Sequence, residues 1–288
     1  MRFAEDMLLG APWVAVVAGF GLLGWLLSGP RLALGCMAAL MLMGMFGLWV
    51  QSMQTLALMA FSVLCALLIG IPLGIVAARS DRFDRALRPI LDAMQTMPAF
   101  VYLIPVLLFF GVARVPAVVS TLIYAIPPAI RLTSLGIRQV SPPAIEAARA
   151  FGATPRQLLF QVQLPLALPS IMVGVNQTIM MALGMVVIAA MIGAGGLGRE
   201  VLVALQRLQV GLAFEAGLAI VLLAIMLDRL SDALSNLAFS DLGKPRTLQL
   251  PTWVPERAES SIYRVANRLS ARGAIPAALL SRLARHVR

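Results

Sequence analysis

The chain has 288 residues, 60% hydrophobic and only 12% charged, with a net charge of +10. A soluble globular domain carries about 25% charged residues, so this composition excludes an ordinary water-exposed fold and requires apolar surface to be hidden in lipid. The positive charge suits nucleic acid or anionic lipid, and its distribution along the chain decides between them.

A helix needs about 20 apolar residues to cross the hydrocarbon core. In chain order the apolar runs predict seven spans, near 12–28, 32–50, 53–78, 93–113, 115–130, 171–192 and 212–228. The fifth is short, and the third is long enough to tilt or to extend beyond the bilayer. No apolar segment at the N-terminus is followed by a small-residue cleavage site, so a removable signal peptide is not expected. Pro72, Pro98, Pro105, Pro127, Pro128 and Pro169 lie in or beside the spans. Each removes a backbone donor and can kink a helix, which lipid tolerates where neighbouring helices or water satisfy the freed groups. Taken singly, such prolines are ordinary in transmembrane helices; as a set they suit a pathway that bends.

Lys and Arg in the loops set the orientation. With the N-terminus outside, the inside segments hold Arg31; Arg79, Arg82, Arg85 and Arg88; Arg131, Arg138, Arg149 and Arg156; and ten more basic residues from Arg229 onward. Outside lie Arg2, Arg114, Arg199 and Arg207, a split of 19 to 4. The segment 131–170 and the C-terminus are therefore expected in the cytoplasm, and the charge favours lipid topology over nucleic acid.

Within 131–170, Ser141-Pro142-Pro143 is a helix-start signal, a capping hydroxyl followed by first-turn prolines. Ala144 to Phe151 is rich in helix formers, and Gly152 stands where a left-handed stop belongs. Thr154-Pro155 repeats the cap and proline, and a second short helix is expected to run to Pro165. The local expectation is helix, glycine turn, helix. Glu146-Ala147-Ala148, three residues, Gly152, nine residues and Val162-Gln163-Leu164-Pro165 resemble the EAA loop of the membrane subunits of bacterial ABC importers. That pattern ends in Ile-x-Leu-Pro, and only the Ile is changed here, to Val162. The resemblance implies a coupling helix that docks on a separate ATPase subunit. Glu146, Ala147, Ala148 and Gly152 would shape that contact, while Val162, Leu164 and Pro165 would anchor the second helix on the membrane domain.

The likeness extends over roughly residues 50 to 235. Leu91 to Pro105 (LDAMQTMPAFVYLIP), Ala125 to Thr133 (AIPPAIRLT), Gln163 to Pro169 (QLPLALP), Val175 to Thr178 (VNQT) and Met191 to Gly198 (MIGAGGLG) are similar to the glycine betaine/proline permease family, the ProW type. Choline and other quaternary-amine permeases share much of it. The resemblance implies an all-α, polytopic membrane protein with the type I ABC importer permease fold, in a bacterial inner membrane. It would work as a homodimeric or paired membrane domain with two cytoplasmic ATPases and a periplasmic binding protein. The tail 236–288 is too short to hold a fused binding protein, so a separate one is expected. ATP and Mg would sit on the ATPase partner, with no cofactor on this chain. Residues 1–50 form two N-terminal helices and 51–235 the transport core. By the same resemblance Gln95, Thr96, Pro98, Tyr102, Asn176, Gly195 and Gly196 are candidates for the pathway or a gate.

The first six predicted spans carry no Asp, Glu, Lys or Arg. Intramembrane charges usually mark proton relays or ion paths, so their absence weakens the main rival, a stand-alone secondary carrier or channel. Glu215 and Asp228-Arg229 read as boundary residues of the last span. A quaternary ammonium is usually recognised by an aromatic cage, but Trp13, Trp25, Trp49 and Trp253 are scattered and suit interfacial anchoring. Tyr102 and Tyr124 meet either in the pathway or, more ordinarily, in core packing. Selectivity is therefore expected mainly in the binding protein.

Other signals lead nowhere chemical. Gly193 to Gly198 satisfies GxGxxG, but a dinucleotide site needs a preceding strand and a following helix; after an apolar span it reads as an external hinge or gate. No GxxxxGK[ST] is present, and no catalytic triad or carboxylate pair is evident. The chain is thus expected to be a transport subunit rather than an enzyme. Cys36 and Cys65 lie in apolar runs, and His286 is the sole histidine, so no metal site is expected. The tail Tyr263 to Arg288 is either a basic amphipathic helix on anionic lipid or a solvated end.

Overall fold

The computed structural model describes residues 2–240, with side chains from Glu5 to Asn236. The tail Tyr263 to Arg288, read as either an amphipathic helix or a solvated end, lies outside these residues, as does Trp253. In chain order the helices are α1 (Arg2–Gly10), α2 (Trp13–Ser28), α3 (Pro30–Met45), α4 (Trp49–Arg79), α5 (Asp81–Thr96), α6 (Ala99–Phe110), α7 (Arg114–Arg138) and α8 (Pro142–Ala150). They continue with α9 (Pro155–Gln157), a π-helical turn (Leu158–Gln163), α10 (Leu164–Ala190), α11 (Gly196–Gln206) and α12 (Val210–Ser240). No strand occurs among the described residues, in keeping with the all-α expectation.

The core is built around α7, packed between α4 and α10. Small residues let the backbones approach, the usual device for helices that gain no hydrophobic drive in lipid. A Cβ on Gly74 would stand 2.6 Å from the Thr133 Cβ, and one on Gly70 would stand 2.8 Å from the Ala129 Cβ. On the other side, a Cβ on Gly136 would lie 2.6 Å from the Ser170 Cβ. Three buried hydroxyls in these helices bond back one turn: Ser62 donates to the Leu58 carbonyl, Thr121 to Ala117 and Thr178 to Gly174. This satisfies polar groups that lipid and core cannot.

The bounds of the spans differ from those expected, and length and apolarity alone do not reach the expected seven. Among the described residues, four helical stretches are long and apolar enough to cross a membrane: Trp49–Arg79, Arg114–Arg138, Pro155–Ala190 and Val210–Asn236. A fifth is reached only if the bent pair α5 and α6 counts as one. The apolar helices α2 and α3 have 16 residues each, short of the usual crossing length.

The predicted span 93–113 is not a single helix. It breaks at Met97-Pro98, and the two halves meet at 100°. Pro98 has no N–H and pushes Met97 into an extended conformation (φ −72°, ψ 135°). The preceding segment, expected as loop, is the amphipathic α5, whose Leu87, Leu91 and Met94 pack against Ile126 and Ile130.

The span expected at 115–130 instead runs to Arg138, taking Arg131 and Arg138 into the helix. Pro127 and Pro128 are buried inside α7, where flanking helices hold the chain in place. Likewise α12 continues well past Asp228-Arg229, which are therefore not its boundary. Trp13 and Trp25 are exposed near the two ends of α2, as membrane anchors would be.

Two ends of the bundle can be told apart. At one, Arg138 donates to the Ala77 carbonyl and to Asp81, both at 2.7 Å, tying α7 to the end of α4 and the start of α5. Among the described residues, this end carries the loop with α8 and the arginines Arg79, Arg82, Arg85 and Arg88. At the other, the unforeseen α1 brings the buried Glu5 into an ion pair with Arg114. There the Leu197 N–H donates to the Thr55 hydroxyl at 2.8 Å, stitching α11 to α4.

Candidate functional site

The loop between α7 and α10 is a folded part. Ser141 begins α8, but its side chain accepts no cap hydrogen bond. Pro143 at N2 has no N–H, which removes one of the two donors a hydroxyl cap serves, and the other, the Ala144 N–H, donates to the Ser141 backbone carbonyl at 3.1 Å.

The far end of α8 explains the glycine spacing. The Ala153 N–H donates to the Ala148 carbonyl at 3.1 Å, and the Gly152 N–H to Arg149 at 2.9 Å. This crossed pair is the Schellman motif, which places its left-handed residue four positions after the helical residue that accepts the longer bond. Gly152 holds that position with φ +79°. Thr154 and Gln157 then form a capping box: the Thr154 N–H donates to Gln157 Oε1 at 2.8 Å, and the Gln157 N–H to Thr154 Oγ1 at 3.4 Å.

The second helix does not stop at Pro165. It passes through the π turn into α10, so Pro155–Ala190 is one continuous helical stretch. The Leu164 N–H bonds to Leu159, five residues back. That wider turn directly precedes Pro165, whose ring and missing N–H a regular α-turn accommodates poorly.

The loop is seated on the membrane part by apolar contact. Leu159 is buried with Ile137, Val140, Ala167 and Ile171, and Ile145 and Leu164 pack against the same cluster. Val162 and Pro165 are half-buried beside it. The opposite face of α8 presents Glu146, Ala147 and Arg149 to the outside, with Ala148 half-buried. At its tip Phe151 is 93% exposed. Sequence reasoning passed over Phe151 as a helix former; an aromatic one position before a predicted left-handed glycine is the signal that marks it. At the root of the loop, the hydrogen bond and charge of Arg138 hold the Asp81 carboxyl below the usual carboxylate range.

The candidate pathway residues fall in three places. Gln95, Thr96 and Pro98 are exposed at the α5–α6 break. Tyr102 is buried just beyond it; its hydroxyl donates to the Met94 carbonyl across the bend, and its ring meets Tyr124 edge-on with centroids 6.1 Å apart. The tyrosine pair thus braces the break. Asn176 sits on the seam between α10 and α12, where its amide donates to Asp232 at 2.9 Å. Asp232 was not foreseen as a partner, because the last span was expected to end before it. Gly195 and Gly196, with φ +74° and +70°, form the turn into α11. The Gly196 N–H donates to Gln54 Oε1 at 3.2 Å, so this turn is pinned to α4. A helix precedes it, which excludes a βαβ nucleotide site there. Among the described residues, no three His, Cys, Asp or Glu side chains gather as metal ligands.

Residues 70–238 match the model of the family described as binding-protein-dependent transport system inner membrane component. The chain is 54% identical over 232 residues to the glycine betaine/proline betaine transport system permease protein ProW of Escherichia coli (strain K12), covering 81% of this chain and 66% of that protein. It is 49% identical over 220 residues to the glycine betaine transport system permease protein OpuAB of Bacillus subtilis (strain 168), covering 76% and 78%. The chain thus spans just under two thirds of the Escherichia coli relative. In structure it is similar to a chain of the MetNI methionine ABC transporter in an inward-facing conformation. That match has a TM-score of 0.60 at 22% identity over 66% of this chain and 95% of the other, a likeness of fold.

Proposed function

This chain belongs to the family of binding-protein-dependent transport system inner membrane components, and we propose that it is the permease subunit of an ATP-driven ABC importer for glycine betaine/proline-type solutes. The observation that carries the reading is α8 and its Schellman turn: a stiff knob, apolar on the side facing the bundle and exposed on the other. A docking element for an ATPase needs this form, because a soft loop would absorb a push. The π turn makes the loop continuous with α10, so a displacement of α8 passes into a membrane span.

On this reading, cytoplasmic ATPases close on binding ATP, move the α8 knobs of two permease copies and switch the pathway from inward to outward facing. Hydrolysis and release of ATP reset it. ATP acts as a ligand that prefers one of two states. A separate periplasmic protein delivers the solute. The charge bias supports a loop end on the cytoplasmic side of a bacterial inner membrane and an N-terminus on the periplasmic side. The names of the similar permeases favour glycine betaine and proline betaine; choline is the second reading.

The test is solute competition in proteoliposomes holding the permease, its ATPase and its binding protein. Labelled glycine betaine should enter only with ATP, and unlabelled proline betaine should compete better than choline. Stronger competition by choline would move the assignment to the second reading, and uptake without the ATPase would overturn both.

A further inference from the structure

We propose that a cavity between α3 and α12 holds the headgroup and upper acyl chain of one anionic phospholipid. The cavity measures about 690 Å³ and is polar at one end and apolar at the other. Ser28, Arg31, Arg229 and Asp232 line the polar end; the wall then climbs along the two antiparallel helices to Leu42 on α3 and Leu222 on α12. From Arg31 to Leu42 that wall is about 16 Å long at the α-helical rise. A free phosphate has nothing to place against it, whereas a phospholipid does.

Charge selects the headgroup. Neither Arg31 nor Arg229 is paired with a carboxylate among the described residues. The acid in the cavity, Asp232, is held from its other side by the Asn176 amide at 2.9 Å. Two guanidinium groups against one carboxylate leave the polar end net positive. Guanidinium forks bind phosphate oxygens with charge-assisted bonds, and basic pockets between membrane helices are known to take anionic headgroups. Arg31 follows the turn at Gly29 between α2 and α3, so the lipid would bridge the N-terminal helices to the transport core. The proposal uses no residue of the α8 loop and holds whichever solute is carried.

The test is lipid binding to the full chain in detergent, read by native mass spectrometry and by thermal shift, with phosphatidylglycerol, phosphatidylcholine and soluble glycerol 3-phosphate as probes. Phosphatidylglycerol should remain bound and raise the melting temperature, while the other two should not. Arg31→Gln with Arg229→Gln should weaken phosphatidylglycerol binding about tenfold or more, and Arg82→Gln, which removes a charge elsewhere at the same end, should not. Ala39→Trp, which fills the apolar wall and spares both arginines, should also displace the lipid. Equal binding of phosphatidylglycerol and phosphatidylcholine to the unaltered protein overturns the proposal even if the double variant fails to fold. Equal protection by glycerol 3-phosphate overturns it too, by reducing the site to a phosphate contact.

Discussion

The Ala153 N–H reaches back across the turn to the Ala148 carbonyl at 3.1 Å, and Gly152 between them adopts φ +79°. Among the described residues no atom lies within 4 Å of where a Gly152 Cβ would stand, so a substitution there meets backbone strain and no steric clash with them. For an ordinary residue that strain is about 1–2 kcal/mol, less for Asn. Gly152→Asn should therefore keep most uptake, Gly152→Ala should lose part, and Gly152→Asp, which adds charge at the proposed docking face, should lose nearly all. All three should insert at normal abundance, as measured by membrane fractionation beside uptake. Equal loss in Asn and Asp variants would contradict this ordering.

Phe151 is 93% exposed at the tip of α8. An exposed side chain contributes little to the fold, and truncation there shifts stability by about 0.5 kcal/mol or less. An aromatic anchor at an interface is worth far more. Phe151→Ala should leave the melting temperature unchanged and lower ATPase retention on purification about tenfold. Unchanged retention would remove Phe151 from the docking surface.

The Asn176–Asp232 bond joins α10 to α12 at 2.9 Å. Interhelical hydrogen bonds in membranes contribute about 0.6–2 kcal/mol. Asn176→Leu should lower the melting temperature by that bond and strand a carboxylate on the seam, whereas Asp232→Asn keeps an oxygen to accept the amide and should cost less. The reverse order, read by thermal unfolding in detergent, would show that the charge itself is the stabilising feature.

Two glycines in apolar spans should respond oppositely. At Gly74 a Cβ would meet the Thr133 Cβ at 2.6 Å and the Ile130 carbonyl oxygen at 2.7 Å, so Gly74→Ala must push α4 off α7. Overpacking of this kind costs about 1–3 kcal/mol. Gly184, inside α10, has nothing within 4 Å, so Gly184→Ala should be neutral or stabilise by about 0.5–1 kcal/mol through the unfolded chain. Melting temperatures of the two variants decide it.

Much of this structure was legible in the sequence because its strongest signals are local. Gly152, Thr154 and Pro155 carry their own backbone rules, and the predicted helix–glycine–helix unit formed with Gly152 left-handed and Thr154 capping. The misses came from tertiary context. Hydropathy counts apolar residues without regard to direction, so it ran the span at 93–113 straight through Pro98, where the chain turns by 100°. It also ended spans at the first charge, cutting α7 before Arg131 and α12 before Asp232, although Arg131 pairs with Asp92 and Asp232 with Asn176. Pro165 looked like a stop because nothing local announces a π turn before it. The pairing of Glu5 with Arg114 joins residues 109 positions apart and leaves no trace in either neighbourhood.

In the proposed function, a separate ATPase drives transport through α8 and Gly152. This coupling is tested most directly by ATP-driven glycine betaine uptake in proteoliposomes, with and without that ATPase, for the unaltered chain and for Gly152→Asp. Uptake is expected only for the unaltered chain with ATPase and ATP both present. Uptake that persists without the ATPase, or that Gly152→Asp leaves intact, would contradict it.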